Sequence, residues 1–337
     1  MNKKLLFITT QYRVGERIYP VIPLLAKEFD IDLLLAYQMD PNFRWVGDFD
    51  NRKEFLSKYK PYFKNILTYS NTLQLNQYDL IIADDNRASN GLDQIYAHST
   101  CPMIGCKHGN GEEKYEYKNL GKCYDFSFVF GKKECLTEFN YAVGIPSNDL
   151  LKQYKDIPKE YVLIVSNFLG NRWAPLNFKT LDKNFFDTLD LPRLQKKYNL
   201  PIVIKLKSRD DEGGHKHNID YLNSILDQSV DYKILVDVED DNLLMAKSAA
   251  VITPPSTFAY KPIQLGIPTI ILNGYGQINC FEDYKFRCEL EEVYEYLDKF
   301  EKTNFVSSSI EGGEEFNSTE CFINAIKDVC THTSSKA

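Results

Sequence analysis

Short apolar runs alternate along this chain with stretches whose apolar residues recur at helical spacing. That is the pattern of βαβ units built on parallel sheets. Buried strands are predicted at residues 5–9, 31–36, 65–67, 78–83, 103–105 and 126–130. Residues 18–29 carry a helical pattern in which Pro20 and Pro23 delay the helix proper, because proline suits only a first turn. A charged helical region covers 51–59. A second series of strands is predicted at 161–165, 202–206, 232–236, 249–253 and 269–272. The polar, lysine-rich stretch 151–160, with Pro158 near its end, reads as a hinge between the two series.

The fold class expected is α/β, with two Rossmann-like doubly wound domains facing across a cleft. Residues 1–150 form the first domain, 151–330 the second, and 331–337 a flexible tail rich in Ser and Thr. Open α/β sheets bind ligands outside the carboxyl ends of their strands, so chemistry is sought in those loops.

The chain has 337 residues, too many for one ordinary domain and right for two. It is 43% hydrophobic and 26% charged, the balance of a packed globular protein. A net charge of −7 argues against nucleic acid as the main partner. A nucleotide diphosphate needs only a few aimed donors and is compatible with it. No apolar run approaches the roughly 20 residues that span a bilayer. The opening Leu5-Leu6-Phe7-Ile8 stops at Thr9-Thr10, too short for a signal sequence. The expectation is a cytoplasmic protein with no transmembrane segment, for which peripheral membrane association stays open. Cysteines 101, 106, 123, 135, 280, 288, 321 and 330 form no CxxC pair and are read as reduced thiols, with no metal site.

The most informative segment is 249–272. A buried strand ends at Thr253, Pro254 and Pro255 make a turn, and Ser256-Thr257 stands where a helix should begin. Gly266 should end that helix before Pro268. A helix start at the carboxyl end of a sheet offers free N–H groups to an anion. An ordinary capped helix with no ligand is the alternative. Upstream, Asp240-Asp241-Asn242 gives a polar start to a helix ending at Lys247-Ser248.

With these segments the chain resembles the GT-B transferases, and among them the CDP-glycerol glycerophosphotransferases that polymerise teichoic acids. The likeness rests on Ile252-Thr253-Pro254-Pro255-Ser256-Thr257, on Lys107-His108-Gly109, on Gly144-Ile145-Pro146-Ser147-Asn148-Asp149 and on Ile204-Lys205-Leu206-Lys207-Ser208. In the turn the family has Asp-Tyr, and in the last segment it reads Lys-Leu-His-Pro, whose histidine is Lys207 here. The resemblance implies a nucleotide-diphosphate donor on the second domain. Its base would lie near Lys205, Lys207, Ser208 and Arg209, and its diphosphate at Pro255, Ser256 and Thr257. It also points to the loop after residue 165, where Asn167, Asn171 and Arg172 are candidate donor contacts or members of a solvated loop.

His108 lies among Gly105, Gly109 and Gly111 after a predicted strand. Three roles stand open for it: general base, cation for the donor phosphate, or a partner of loop backbone. Glu112 or Glu113 would orient it or serve as the base instead. Gln11, Arg13 and Gly109 are candidate acceptor contacts, and Gln11 to Gly15 lacks the GxGxxG fingerprint of dinucleotide binding. The segment 208–218, with His215 and His217, reads as a mobile loop. Asp84-Asp85-Asn86 resembles the Asp-x-Asp of metal-dependent transferases but ends a strand of the wrong fold.

The function expected is metal-independent transfer of a sugar from a nucleotide-diphosphate donor to a hydroxyl acceptor, with no resident cofactor. The acceptor would be a sugar or polyol, such as a growing glycan of a surface polysaccharide. Transfer of a CDP-polyol phosphate is the first alternative; a nucleotide-sugar 2-epimerase and a non-catalytic nucleotide-sugar binder follow.

Overall fold

The computed structural model describes residues 2–9, 15–35, 56–68, 74–84, 92–107, 124–131, 135, 137–166, 179–206, 214–236, 238, 240–275, 284–302 and 317–334. They group into two compact units, each an α/β unit on a parallel sheet.

The first unit holds β1 (Lys4–Thr9), β2 (Asp30–Leu35), β3 (Asn65–Thr68), β4 (Leu80–Ala83), β5 (Met103–Cys106), β6 (Phe126–Val129) and β7 (Asn140–Ala142). Their order is β3-β2-β1-β4-β5-β6-β7, parallel throughout. Leu5 and Phe7 face one apolar cluster with Leu33, Ile82 and Ile104. Leu6 and Ile8 face another with Leu34, Ile81 and Met103. A strand covered on both faces must be apolar at every position, which is why β1 reads as an unbroken run. The helical pattern of 18–29 condenses to a 3₁₀ turn, Tyr19–Val21, and α1 (Ile22–Leu25), each carrying one of the two prolines in its first turn. Helix α2 (Leu92–Ala97) lies between β4 and β5.

The second unit holds β8 (Tyr161–Val165), β9 (Ile202–Lys205), β10 (Tyr232–Leu235), β11 (Ser248–Thr253), β12 (Thr269–Leu272) and β13 (Arg287–Cys288), in the order β10-β9-β8-β11-β12-β13. Its helices are α3 (Lys183–Leu189), α4 (Leu191–Tyr198), α5 (Gly214–Ile225), α6 (Asp241–Ala246), α7 (Tyr260–Gln264) and α8 (Val293–Lys302). The last helix, α9 (Ser318–Ser334), belongs to the first unit. Phe322 meets Phe128 edge-to-face at 4.9 Å between centroids, and Ile326 and Val329 join the same cluster.

Several expectations are corrected. The second domain does not run to residue 330, because α9 packs on the first sheet. The tail expected at 331–337 is helical through Ser334: the Thr331 hydroxyl donates to the Lys327 carbonyl, and the Lys3 ammonium donates to the Cys330 carbonyl at 2.6 Å. Residues 335–337 lie outside the described residues. The stretch 151–160, expected as a hinge, is bonded to the second unit. The Tyr154 hydroxyl donates to Asp240, the Lys159 ammonium to the Ala246 carbonyl at 2.6 Å, and the Glu160 N–H to the Lys247 carbonyl at 2.7 Å. The supposed loop at 208–218 is helical from Gly214. Short edge strands β7 and β13 have no apolar run and escape a pattern search. Residues 78 and 79 precede β4 because Tyr78 ends a 3₁₀ turn and gives its hydroxyl to Asp32.

Candidate functional site

In the second unit the strand order reverses between β8 and β11, so their carboxyl ends open the crevice where such sheets take ligands. Ser166, just after β8, is buried, and its N–H donates to the Lys205 carbonyl at 2.8 Å. Strand β11 ends at buried Thr253, whose hydroxyl donates to the Pro254 carbonyl at 3.0 Å. Pro254 and Pro255 are buried, and half-buried Ser256 accepts the Phe258 N–H on its hydroxyl oxygen at 3.3 Å.

The helix expected from Ser256 is replaced by a 3₁₀ turn, Thr257–Ala259, and the short α7. The Ala259 N–H donates to the Ser256 carbonyl, tightening the entry to an i+3 bond. Gly266 ends α7 as expected. It has φ +69°; its N–H donates to the Ile263 carbonyl and the Ile267 N–H to the Pro262 carbonyl, a Schellman closure.

Lys205, a candidate donor contact, lies at the end of β9. It is 7% exposed, and its ammonium donates to the Leu206 and Val236 carbonyls, each at 3.2 Å, tying the ends of β9 and β10. Asp240 caps α6: one carboxylate oxygen accepts the N–H groups of Asn242 and Leu243 at 2.9 and 3.0 Å, and the other accepts the Tyr154 hydroxyl at 2.7 Å. Burial opposes its ionisation, but the Leu243 N–H, the Tyr154 hydroxyl, the Asn242 N–H and the Lys261 charge outweigh it and hold its pKa below the ordinary value. The cap was legible in Asp240-Asp241-Asn242; Tyr154, far away in sequence, carried no signal.

In the first unit the order reverses between β1 and β4. Thr9 and Asp84 sit at those ends, both fully buried, and the Thr9 hydroxyl donates to the Asp84 carboxylate at 2.7 Å. The Asp84 N–H donates to the Ile8 carbonyl at 3.0 Å. Lys107, after β5, is buried, with its ammonium 5.5 Å from the Phe130 ring centroid. The other candidates, Gln11, Arg13, His108, Gly109, Glu112, Glu113, Asn167, Asn171, Arg172, Lys207, Ser208 and Arg209, lie outside the described residues, as do Asp85 and Asn86. The Thr257 side chain lies outside them too. Among the described residues no three His, Cys, Asp or Glu side chains gather as a metal ion would require. No described helix is long and apolar enough to cross a membrane.

No protein-family model matches the sequence, and no curated protein matches it. Solved structures do match the fold. The UDP-GlcNAc 2-epimerase of Neisseria meningitidis bound to UDP-GlcNAc has a TM-score of 0.60 at 14% identity, over 96% of this chain and 100% of that one. The UDP-GlcNAc 2-epimerase of Methanocaldococcus jannaschii has a TM-score of 0.61 at 12% identity, over 96% and 99%. The wall teichoic acid polymerase TagF with CDPG has a TM-score of 0.52 at 12% identity, over 98% and 90%. The glycerophosphotransferase resemblance is thus carried by a fold that the epimerases share. Two doubly wound α/β units in series, the GT-B-like architecture of these neighbours, is the fold of this chain.

Proposed function

We propose that this protein is an enzyme acting on a nucleoside-diphosphate sugar, held at the carboxyl edge of the second sheet, and that it transfers the sugar to a hydroxyl acceptor. The observation that carries the reading is the turn after β11. It lies at the strand-order reversal and is built by Thr253, two buried prolines and Ser256, whose hydroxyl keeps its hydrogen to donate. Similar folds hold UDP-GlcNAc and CDPG. The acceptor oxygen would bond to the anomeric carbon as that carbon's bond to the diphosphate breaks, the acceptor proton passing to a general base. Donors aimed at the diphosphate stabilise the charge it gains.

A second reading is 2-epimerisation. Such a reaction needs a carboxylate or other acid–base group, and Asp84 is a buried carboxylate at the carboxyl end of β4. UDP-GlcNAc incubated alone separates the two. Conversion to the 2-epimer, abolished in Asp84→Asn, supports the epimerase. Consumption only on adding a glycan or polyol acceptor supports the transferase. Incubation with CDP-glycerol and the same acceptors tests a polyol-phosphate donor.

A further inference from the structure

Strand β13 places a cation at the carboxyl edge of the second sheet, and no carboxylate answers it. Arg287 is level with Ile271 of β12 in the parallel register. Asn273 continues β12, its N–H donating to the Cys288 carbonyl at 2.9 Å, so its side chain falls on the face of Ile271 and Arg287. The Arg287 Nε donates to the Asn273 Oδ1. The arginine therefore runs along the strands, and its two terminal nitrogens are carried toward the carboxyl edge. Among the described residues those nitrogens have neither a hydrogen-bond partner nor a carboxylate within ion-pair distance.

That situation is unlike its neighbours'. Half-buried Lys197 meets Asp298 and Glu301 at 2.7 and 3.0 Å, and half-buried Lys247 meets Glu160 at 3.0 Å. Arg287 is half-buried too. Glu289, two residues on, is committed to the Lys179 ammonium at 3.1 Å and to the Glu292 N–H that it caps. A charge drawn partly out of water is costly until an anion completes it. Asn273 adds to the imbalance: its oxygen receives Nε, so its Nδ2 is a further donor with no acceptor among the described residues. Thr253 is level with Ile271 on the other side of β12, so the turn after β11 starts one strand spacing, about 5 Å, from the strand that Asn273 continues.

We propose that Arg287 and Asn273 form an oxyanion site, taking a phosphoryl or carboxylate group of the ligand at this edge. With Nε held by Asn273, the two terminal nitrogens form an end-on fork for two oxygens of one group, and the Asn273 amide adds a third donor. Placing that group on a nucleotide sugar rests on the donor reading above; the oxyanion site itself rests on these two residues.

The test is calorimetry on the full chain with inorganic pyrophosphate, malonate, UDP, CDP, GDP, ADP and dTDP, and with the pair UDP-glucose and UDP-glucuronate. Wild type is compared with Arg287→Gln and Asn273→Asp. The second variant keeps an acceptor for Nε and supplies the missing counter-charge, so anion binding should fall although the arginine is intact. It decides the matter alone if Arg287→Gln fails to fold. The expected result is an anion that binds wild type and loses about tenfold in affinity in both variants, with a flatter salt dependence. Loss with pyrophosphate or the diphosphates assigns the site to a phosphoryl group. Loss confined to malonate or UDP-glucuronate, with UDP-glucose unchanged, assigns it to a carboxylate. Equal affinity of wild type and both variants for every probe bound overturns the oxyanion site and leaves the donor reading standing. Arg287-dependent binding of pyrophosphate or malonate, with no nucleotide bound, upholds the site and overturns the donor reading. Absence of binding by wild type to every probe overturns both.

Discussion

The carboxylate of Asp149 accepts the backbone N–H of Thr319 at 2.6 Å, across 170 residues of sequence. Its other oxygen accepts the Ser318 N–H at 3.0 Å. Asp149 is the last residue of the Gly144–Asp149 motif, and it caps a helix that begins long after the second unit has been built. The first N–H groups of a helix have no partner within it, and a carboxylate also answers the positive end of the helix dipole. Asp149→Ala should therefore cost about 1 kcal/mol by urea unfolding, and Asp149→Asn less. Amide exchange should rise first in α9; unchanged exchange there would refute the cap.

Phe322 anchors the same helix to the first sheet through Phe128, each about 1% exposed. Truncation leaves a cavity that packed neighbours only partly fill. Phe322→Ala is expected to lower stability by about 3–5 kcal/mol, and Phe322→Leu by clearly less. A loss below about 1 kcal/mol would mean that α9 is peripheral to that core.

Gly266 tests backbone conformation in isolation. A Cβ built there meets nothing within 4 Å, so steric crowding is absent and only φ +69° is at issue. Gly266→Ala should cost about 1–2 kcal/mol, with Gly266→Asn milder, because Asn tolerates the left-handed region. Thermal unfolding of both variants decides it: a neutral alanine would show that the Schellman closure is dispensable.

Asp240 makes stability depend on pH. Its carboxyl pKa is lowered in the folded state, so its contribution is fully present above the unfolded value of about 3.9. It is lost as pH falls through the lower folded value. Asp240→Asn, which still caps a helix, should flatten the fall in unfolding free energy between about pH 5 and pH 2. Parallel curves for the two proteins would remove Asp240 from the acid limb.

The Thr9 hydroxyl serves the buried Asp84 carboxylate, and Thr9→Val keeps the shape while removing the donor. A loss of about 1–3 kcal/mol is expected, because a buried oxygen is left short of a partner. Equilibrium unfolding measures it, and a neutral Thr9→Val would show that Asp84 is satisfied without Thr9.

The sequence by itself determined the fold class. Strands β1, β8 and β11 are buried on both faces, which forces unbroken apolar runs such as Leu5 to Ile8, and such runs are legible without a structure. It also determined local punctuation that acts within a few residues: Gly266 as a helix stop and Asp240 at the start of α6. What the tertiary structure alone decided joins residues distant in sequence. Helix α9 returns to the first unit, Asp149 caps it, Tyr154 reaches Asp240, and the Lys205 ammonium turns to the Val236 carbonyl. Nothing local marks these, because periodicity records which face of an element is buried and says nothing of which distant element covers it. Polar side chains are more ambiguous still: nothing in the letter marks a lysine that ties two strand ends, and only the Leu206 and Val236 carbonyls around the Lys205 ammonium reveal it.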